Sequence, residues 1–115
     1  MREIKFRAWN KNKKRMKTNS VFLLISAIEA GRLDKNQFVI MQYTGLKDKN
    51  GVEIYEGDII RHLDRNYSVV YDEATASFIL KEANDEGWCL GGSGWREVEV
   101  IGNIFENPEL LEQAE

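Results

Sequence analysis

The sequence has very little of the chemistry that builds disulfides and metal sites, with one cysteine and one histidine among its 115 residues. Cys89 has no partner within the chain, so an internal disulfide is excluded, and a lone thiol is typical of a reducing compartment. His62 is the only histidine, which excludes a metal site built on two or three histidines of one chain. The sequence therefore predicts no metal centre, and no motif in it indicates a cofactor.

Long apolar runs are also missing. The longest one, at residues 21–25, is far shorter than the roughly 20 residues that a membrane-spanning helix needs. The chain does not begin with a charged and then apolar leader that ends in a cleavage site. We therefore expect a cytoplasmic protein with no membrane partner.

What the sequence does contain is ordinary for a folded domain. Hydrophobic residues make up 43% of the chain and charged residues 30%, which is the composition of a soluble globular protein. A chain of 115 residues has the size of one domain and is long enough to bury a core. We predict a single domain over residues 1–115.

Charge is distributed unevenly along the chain, whose net charge is −3. Residues 1–17 carry eight basic side chains against Glu3 alone, a local net charge of +7, and the remaining residues carry eight basic and eighteen acidic side chains, a net charge of −10. This asymmetry suggests a basic surface that meets a polyanion, an acidic surface or a neighbouring copy. Lysine and arginine on a short edge strand also discourage unwanted strand pairing.

Turn signals are densest in residues 40–63. Asn50 and Gly51 form the pair that most favours a β-hairpin, within a first turn that includes Gly45. A second turn follows, where we expect Gly57 to adopt a left-handed conformation and the Asp58 carboxylate to accept a hydrogen bond from a backbone N–H two residues further on.

Alternating patterns predict several strands. In residues 3–10, the apolar Ile4, Phe6 and Ala8 alternate with Lys5, Arg7 and Trp9. The first three should therefore face the core, while the other three lie on the opposite, polar face. Further strands are predicted at residues 15–17, 37–43, 59–63, 67–71, 77–82 and 96–105, with a loose segment at residues 83–94 and a final helical turn after residue 107.

Residues 20–33 allow two interpretations. Asn19 or Ser20 could cap a helix, apolar residues follow at helical spacing, and Gly31 lies where a C-terminal cap belongs. Alternatively, residues 21–25 form a buried strand and residues 27–30 a short helical turn, as the valine, phenylalanine and isoleucine content suggests. Periodicity cannot separate the two over so short a run, and we favour the strand.

Several short strands joined by hairpin turns indicate a small antiparallel barrel or sandwich. The pattern at residues 56–60, followed by a hairpin, is similar to the start of SH3-like barrels, which is an argument by analogy. We predict a mainly β fold with a minor helical portion, namely a small antiparallel, partly open SH3-like barrel plus an N-terminal hairpin.

Four blocks of sequence cover almost the whole chain in a specific order. They are IKFRAW from Ile4, MQYTGLKDKNG from Met41, IYEGDI from Ile54 and VIGNIFENPELL from Val100. In these blocks the chain resembles the YopX family, which comprises small proteins of bacteriophages and prophages. The resemblance implies a phage or prophage origin, hence a bacterial host cell, and self-assembly, and it implies no catalytic residue.

Candidate metal and catalytic sites fail on spacing and setting. Residues 48–51 resemble the middle of an EF-hand loop, but with Gly51 at the invariant glycine the first and twelfth positions would be Leu46 and Gly57, which carry no carboxylate. The carboxylates in residues 53–58 lack the desolvated setting that a general acid needs. We expect no enzyme, and interpret five residues as structural turn residues: Gly45, Asn50, Gly51, Gly57 and Asp58.

The basic N-terminal segment is the feature most compatible with nucleic acid, because its cations would neutralise phosphates while Trp9 stacked on a base. A pI near 5.3 argues against this function. We therefore predict a self-associating, non-enzymatic binding or accessory module, a homo-oligomer or a partner of a phage or host protein, with nucleic-acid binding as the alternative. The residues of that alternative site are Lys5, Arg7, Trp9, Lys11, Lys13, Lys14, Arg15 and Lys17.

Overall fold

The computed structural model describes residues 4–81, 88–89 and 97–111. These residues form nine strands, one α-helix (α1, Val21–Glu29) and the 3-10 segments Lys35–Gln37 and Pro108–Leu111. The predicted mainly β fold with a minor helical portion is confirmed. The strands are Phe6–Asn10 (β1), Arg15–Lys17 (β2), Phe38–Lys47 (β3), Glu53–Tyr55 (β4), Asp58–His62 (β5), Arg65–Asp72 (β6), Ser77–Lys81 (β7), Trp88–Cys89 (β8) and Glu99–Asn103 (β9).

The chain divides into two compact units, Met1–Tyr43 and Thr44–Glu115, and the division falls within β3. In the first unit, which we call the N-terminal unit, β1 lies between β2 and β3 and is antiparallel to both. This confirms the predicted N-terminal hairpin. The second unit is called the C-terminal unit below. The expectation of one domain over residues 1–115 stays a prediction.

Residues 21–29 form a helix, so the strand that we favoured there is wrong. Val21 and Leu24, three positions apart, are both buried, and they pack with Ala8 of β1 into one apolar cluster. In a strand, side chains three positions apart point to opposite faces. In a helix they lie on the same face, so Val21 and Leu24 can both pack against the sheet. Tertiary packing thus overrides the strand propensity of the local sequence.

The end of α1 has the glycine cap of the helix interpretation, which we did not favour. The N–H of Gly31 donates to the carbonyl of Ile28 at 3.0 Å, and the N–H of Arg32 donates to that of Ala27 at 2.9 Å. This pair of bonds defines a Schellman motif, which needs a left-handed residue at the position of Gly31, whose φ is +78°. At the start of the helix, the side chain of Ser20 makes no capping hydrogen bond.

The predicted faces of β1 are partly wrong. Ala8 is fully buried as expected, but Ile4 precedes the strand and is 62% exposed. Trp9 and Arg7, which the alternation assigned to a polar face, are only 7% and 8% exposed. Alternation distinguishes two faces only when one of them meets water, and β1 is the inner strand of its sheet with both faces buried.

The C-terminal unit is organised around a five-stranded antiparallel sheet with strand order β8-β7-β6-β5-β9. The sheet curls into a half-barrel, which confirms the predicted partly open, SH3-like architecture. Each fully buried aliphatic side chain in its core contributes about 1.5–3 kcal/mol relative to exposure. The core cluster consists of Ile54, Ile60, Tyr67, Val69, Leu80 and Val98.

The hairpin predicted at Asn50 and Gly51 joins β3 to β4. The N–H of Gly51 donates to the carbonyl of Asp48 at 3.0 Å, and the N–H of Asp48 donates to that of Val52 at 2.8 Å. Gly51 has a φ of +84°, whereas Asn50 keeps a negative φ. This is a three-residue hairpin loop with a left-handed glycine. Gly45 lies inside β3 and not in the turn, with a φ of +90°.

The second predicted turn, between β4 and β5, contains Gly57 at a φ of +90°. The buried Asp58 carboxylate accepts a hydrogen bond from the N–H of Tyr55 at 2.8 Å. The donor of this bond lies three positions before Asp58, so the bond closes the turn from its C-terminal end. The predicted bond from a backbone N–H two residues further on stays a prediction. The expected loose segment at residues 83–94 lies outside the described residues except for β8, which pairs with β7.

Candidate binding surfaces

Four cations at the end of the β1-β2 hairpin are exposed to solvent. They are Lys11, Lys13, Lys14 and Arg15, and we call them the basic tip. Lys17, further along β2, is half-buried. Because all four side chains are exposed, the basic tip is accessible to a large anionic partner.

One side chain organises the basic tip. The Oδ1 atom of Asn10 accepts hydrogen bonds from the N–H groups of Asn12 at 3.0 Å and Lys13 at 3.1 Å, and from Nε2 of Gln37 at 3.1 Å. The carbonyl of Asn10 also accepts a bond from the N–H of Lys14 at 2.7 Å. These bonds fix the turn and support the left-handed conformation of Lys14, whose φ is 55°.

The other predicted nucleic-acid residues lie apart from the basic tip. Arg7 and Trp9 are buried in the middle of the sheet, so Trp9 does not present its ring to a base. Lys5 is half-buried, with Nζ 5.7 Å from the centre of the Tyr43 ring. The structure therefore brings together four of the eight predicted residues as one exposed group, and their role in binding stays a prediction.

The outer face of α1 is a surface that the sequence analysis missed. Phe22 is 63% exposed and Leu23 is 72% exposed, although both belong to a helix that also buries apolar residues on its inner face. The Phe22 ring has one edge contact, with Phe6 at a centroid distance of 5.7 Å. The available signal was the run of five apolar residues at positions 21–25, which is too long for one face of a helix, so that some of these side chains must lie on its outer face.

The charge asymmetry of the sequence coincides with the two units. The N-terminal unit has ten basic and three acidic side chains, a net charge of +7. The C-terminal unit has six basic and sixteen acidic side chains, a net charge of −10. The outer face of α1 and the basic tip therefore both belong to the positively charged unit.

Two buried aspartates in the described part of the C-terminal unit hold backbone N–H groups. Asp48 accepts bonds from Asn50 and Val52 through Oδ1, at 2.8 and 2.9 Å, and from Val100 through Oδ2 at 2.9 Å. Asp58 accepts its bond from Tyr55. Each carboxylate thus supports a turn, as predicted for Asp58 and not foreseen for Asp48.

Within residues 4–81, 88–89 and 97–111, no group of three or more histidine, cysteine, aspartate or glutamate side chains is arranged to hold a metal ion. Nε2 of His62 lies 3.7 Å from Oε1 of Glu97. None of the helices in the described part of the chain has the length and apolarity to cross a membrane.

Comparison with known proteins finds a matching family model and similar solved structures. A family model described as YopX protein matches residues 5–112. Protein EF1440 from Enterococcus faecalis is 30% identical, with a TM-score of 0.63 over 96% of this chain and 99% of its own. Protein yopX from Bacillus subtilis shares the fold at 16% identity and a TM-score of 0.56, with 100% of both chains covered. No curated protein matches significantly.

Proposed function

The chain belongs to the YopX family, and from that premise we propose that it is a phage- or prophage-encoded binding module that associates with its own copies and catalyses no reaction. The observation that carries this proposal is the outer face of α1. Phe22 and Leu23 place two large apolar side chains next to each other in water, and protein interfaces are where such side chains are covered.

A second copy of the chain is the occupant that the charges favour. The outer face of α1 lies on a unit of net charge +7, and each further copy supplies a C-terminal unit of net charge −10. Opposite charges steer association and disfavour the wrong partner surface. Contact between two N-terminal units would instead bring together two surfaces of like charge. The proposed contact is therefore heterologous, and repetition of such a contact produces rings or filaments.

The proposal includes no catalysis, and the structural role of the buried carboxylates supports this. The Asp48 and Asp58 side chains accept hydrogen bonds from backbone N–H groups of their own turns, which fixes each side chain in place. A general acid or base needs a carboxylate directed at a substrate. In this proposal the module acts in the cytoplasm of a bacterial host, in keeping with its lone cysteine.

The native mass in solution tests self-association. We expect light scattering to give a mass several times 13.3 kDa. That mass should persist at about 0.5 M salt, where interactions between exposed charges are largely screened but apolar contacts are not. A mass of 13.3 kDa at every protein concentration, in low and in high salt, would contradict the proposal.

A further inference from the structure

We propose that the basic tip binds the phosphate backbone of nucleic acid without reading the bases. Lys11, Lys13, Lys14 and Arg15 are all exposed within one turn. No acidic residue occurs between Ile4 and Ile28, so the hairpin carries no carboxylate of its own to neutralise them. The local field at the tip is therefore positive although the chain as a whole is acidic.

The basic tip is ordered before any ligand arrives. Asn10 holds the N–H groups of Asn12 and Lys13 through its side chain and that of Lys14 through its carbonyl. These N–H groups of the turn thus have hydrogen-bond acceptors within the protein. The groups available to a partner are the four cationic side chains. A fixed turn reduces the entropy lost on binding to that of the side chains alone.

Phosphate suits this surface better than a protein partner does. Three of the four cations are lysines, and lysine is depleted in protein interfaces, whose binding energy comes from buried aromatic, apolar and arginine side chains. Trp9 is buried and Met16 is half-buried, so neither supplies such an anchor at the tip. Binding to phosphate needs only positive charge that displaces condensed counterions.

Base recognition is not part of this inference, because the burial of Trp9 leaves no exposed aromatic ring at the hairpin. Proteins that hold single strands combine a basic groove with aromatic platforms for stacking. Without a platform, binding is driven by the backbone charge. Duplex DNA, with its higher charge density, should bind at least as well as a single strand of the same sequence.

Fluorescence anisotropy with a labelled duplex tests the inference. If all four cations contact phosphates, the logarithm of the association constant falls with the logarithm of salt concentration at a slope of about −3.6, which is roughly 150-fold between 50 and 200 mM. The full chain should bind with this dependence. A triple variant, Lys13→Gln with Lys14→Gln and Arg15→Gln, should lose about two orders of magnitude or more in affinity at 50 mM salt.

A second triple variant controls for net charge. Arg32→Gln, Lys35→Gln and Lys47→Gln remove three exposed cations outside the tip, so both variants have the same formal charge. Loss of binding only in the tip variant supports the inference. Equal loss in both variants, absence of binding in the wild type at micromolar protein and low salt, or a slope close to zero would each overturn it.

The inference is independent of self-association, because the basic tip and the outer face of α1 involve different residues. Measurement of the native mass of the tip variant keeps the two proposals apart. An unchanged mass together with lost DNA binding supports the phosphate site. A mass that falls to that of one chain, with no DNA binding in the wild type, would show that the tip contacts another copy and would overturn the phosphate site.

Discussion

The carboxylate of Asp48 accepts a hydrogen bond from the backbone N–H of Val100 at 2.9 Å, which joins the turn between β3 and β4 to strand β9. The same side chain holds two N–H groups of its own turn. The adjacent backbone adds a further bond, from the N–H of Lys49 to the carbonyl of Val98 at 3.1 Å. A single buried aspartate therefore closes a hairpin and fixes a distant strand to it.

Replacement of Asp48 by alanine should destabilise the protein by roughly 2–4 kcal/mol, because three backbone donors lose a charged acceptor in a buried setting. Chemical denaturation measures this loss. Glu73→Ala is the control, since Glu73 is exposed and does not have a positive φ, so that loss of its carboxylate should change stability by less than about 0.5 kcal/mol. Similar effects of the two substitutions would contradict the structural role of Asp48.

Gly31 ends α1 in a left-handed conformation, and open space surrounds the position that a β-carbon would occupy. Gly31→Ala should therefore cost about 1–2 kcal/mol through backbone strain alone. Gly31→Asn should cost less, because asparagine tolerates this conformation better. Thermal unfolding of the two variants checks this order. If Gly31→Ala proved as stable as Gly31→Asn, backbone strain at this cap would not explain the loss of stability.

A substitution at Asn10 can change the charge of the basic tip while its shape is kept. Asn10→Asp keeps an oxygen acceptor for Asn12, Lys13 and Gln37 but adds one negative charge beside the four cations. We expect stability to change little, while affinity for duplex DNA at about 50 mM salt falls by about tenfold, the effect of neutralising one phosphate contact. Denaturation and anisotropy on the same samples measure the two quantities. Unchanged affinity in a normally folded variant would argue against phosphate binding at the tip.

The burial of Trp9 predicts that its ring takes no part in binding to DNA. With 5-fluorotryptophan in place of tryptophan, the Trp9 resonance can be assigned from a Trp9→Phe sample. This resonance should keep its chemical shift at saturating DNA, because the ring is only 7% exposed. A large shift with short single-stranded DNA would show that Trp9 stacks on a base, as its sequence position first suggested.

The sequence predicted the features that depend on local chemistry. The hairpin at Gly51, the turn at Gly57 and the basic hairpin follow from residue types that favour particular backbone angles. The small antiparallel barrel followed from closely spaced strands joined by hairpin turns. Its SH3-like form was an argument by analogy from residues 56–60.

The errors occur where tertiary packing decides. The run at residues 21–25 has strand propensity, but it forms a helix because that spacing covers the apolar face around Ala8. Trp9 was predicted to be exposed because we assumed that the alternating pattern of β1 marks one buried and one exposed face. An inner strand such as β1 can bury both faces. The exposure of Phe22 and Leu23 could not be predicted while this segment was read as a strand.

The most direct test of self-association through α1 is sedimentation velocity of the full chain as Leu23→Gln, with Leu63→Asn as its control. Both residues are exposed leucines, at 72% and 79%, but Leu63 lies in the turn between β5 and β6. Glutamine preserves helix propensity and asparagine tolerates the left-handed conformation at Leu63, so both variants should fold. We predict that the wild type and Leu63→Asn sediment as multimers and that Leu23→Gln shifts towards the 13.3 kDa monomer. Identical multimers in all three samples would contradict the assignment of the outer face of α1 as the contact between copies.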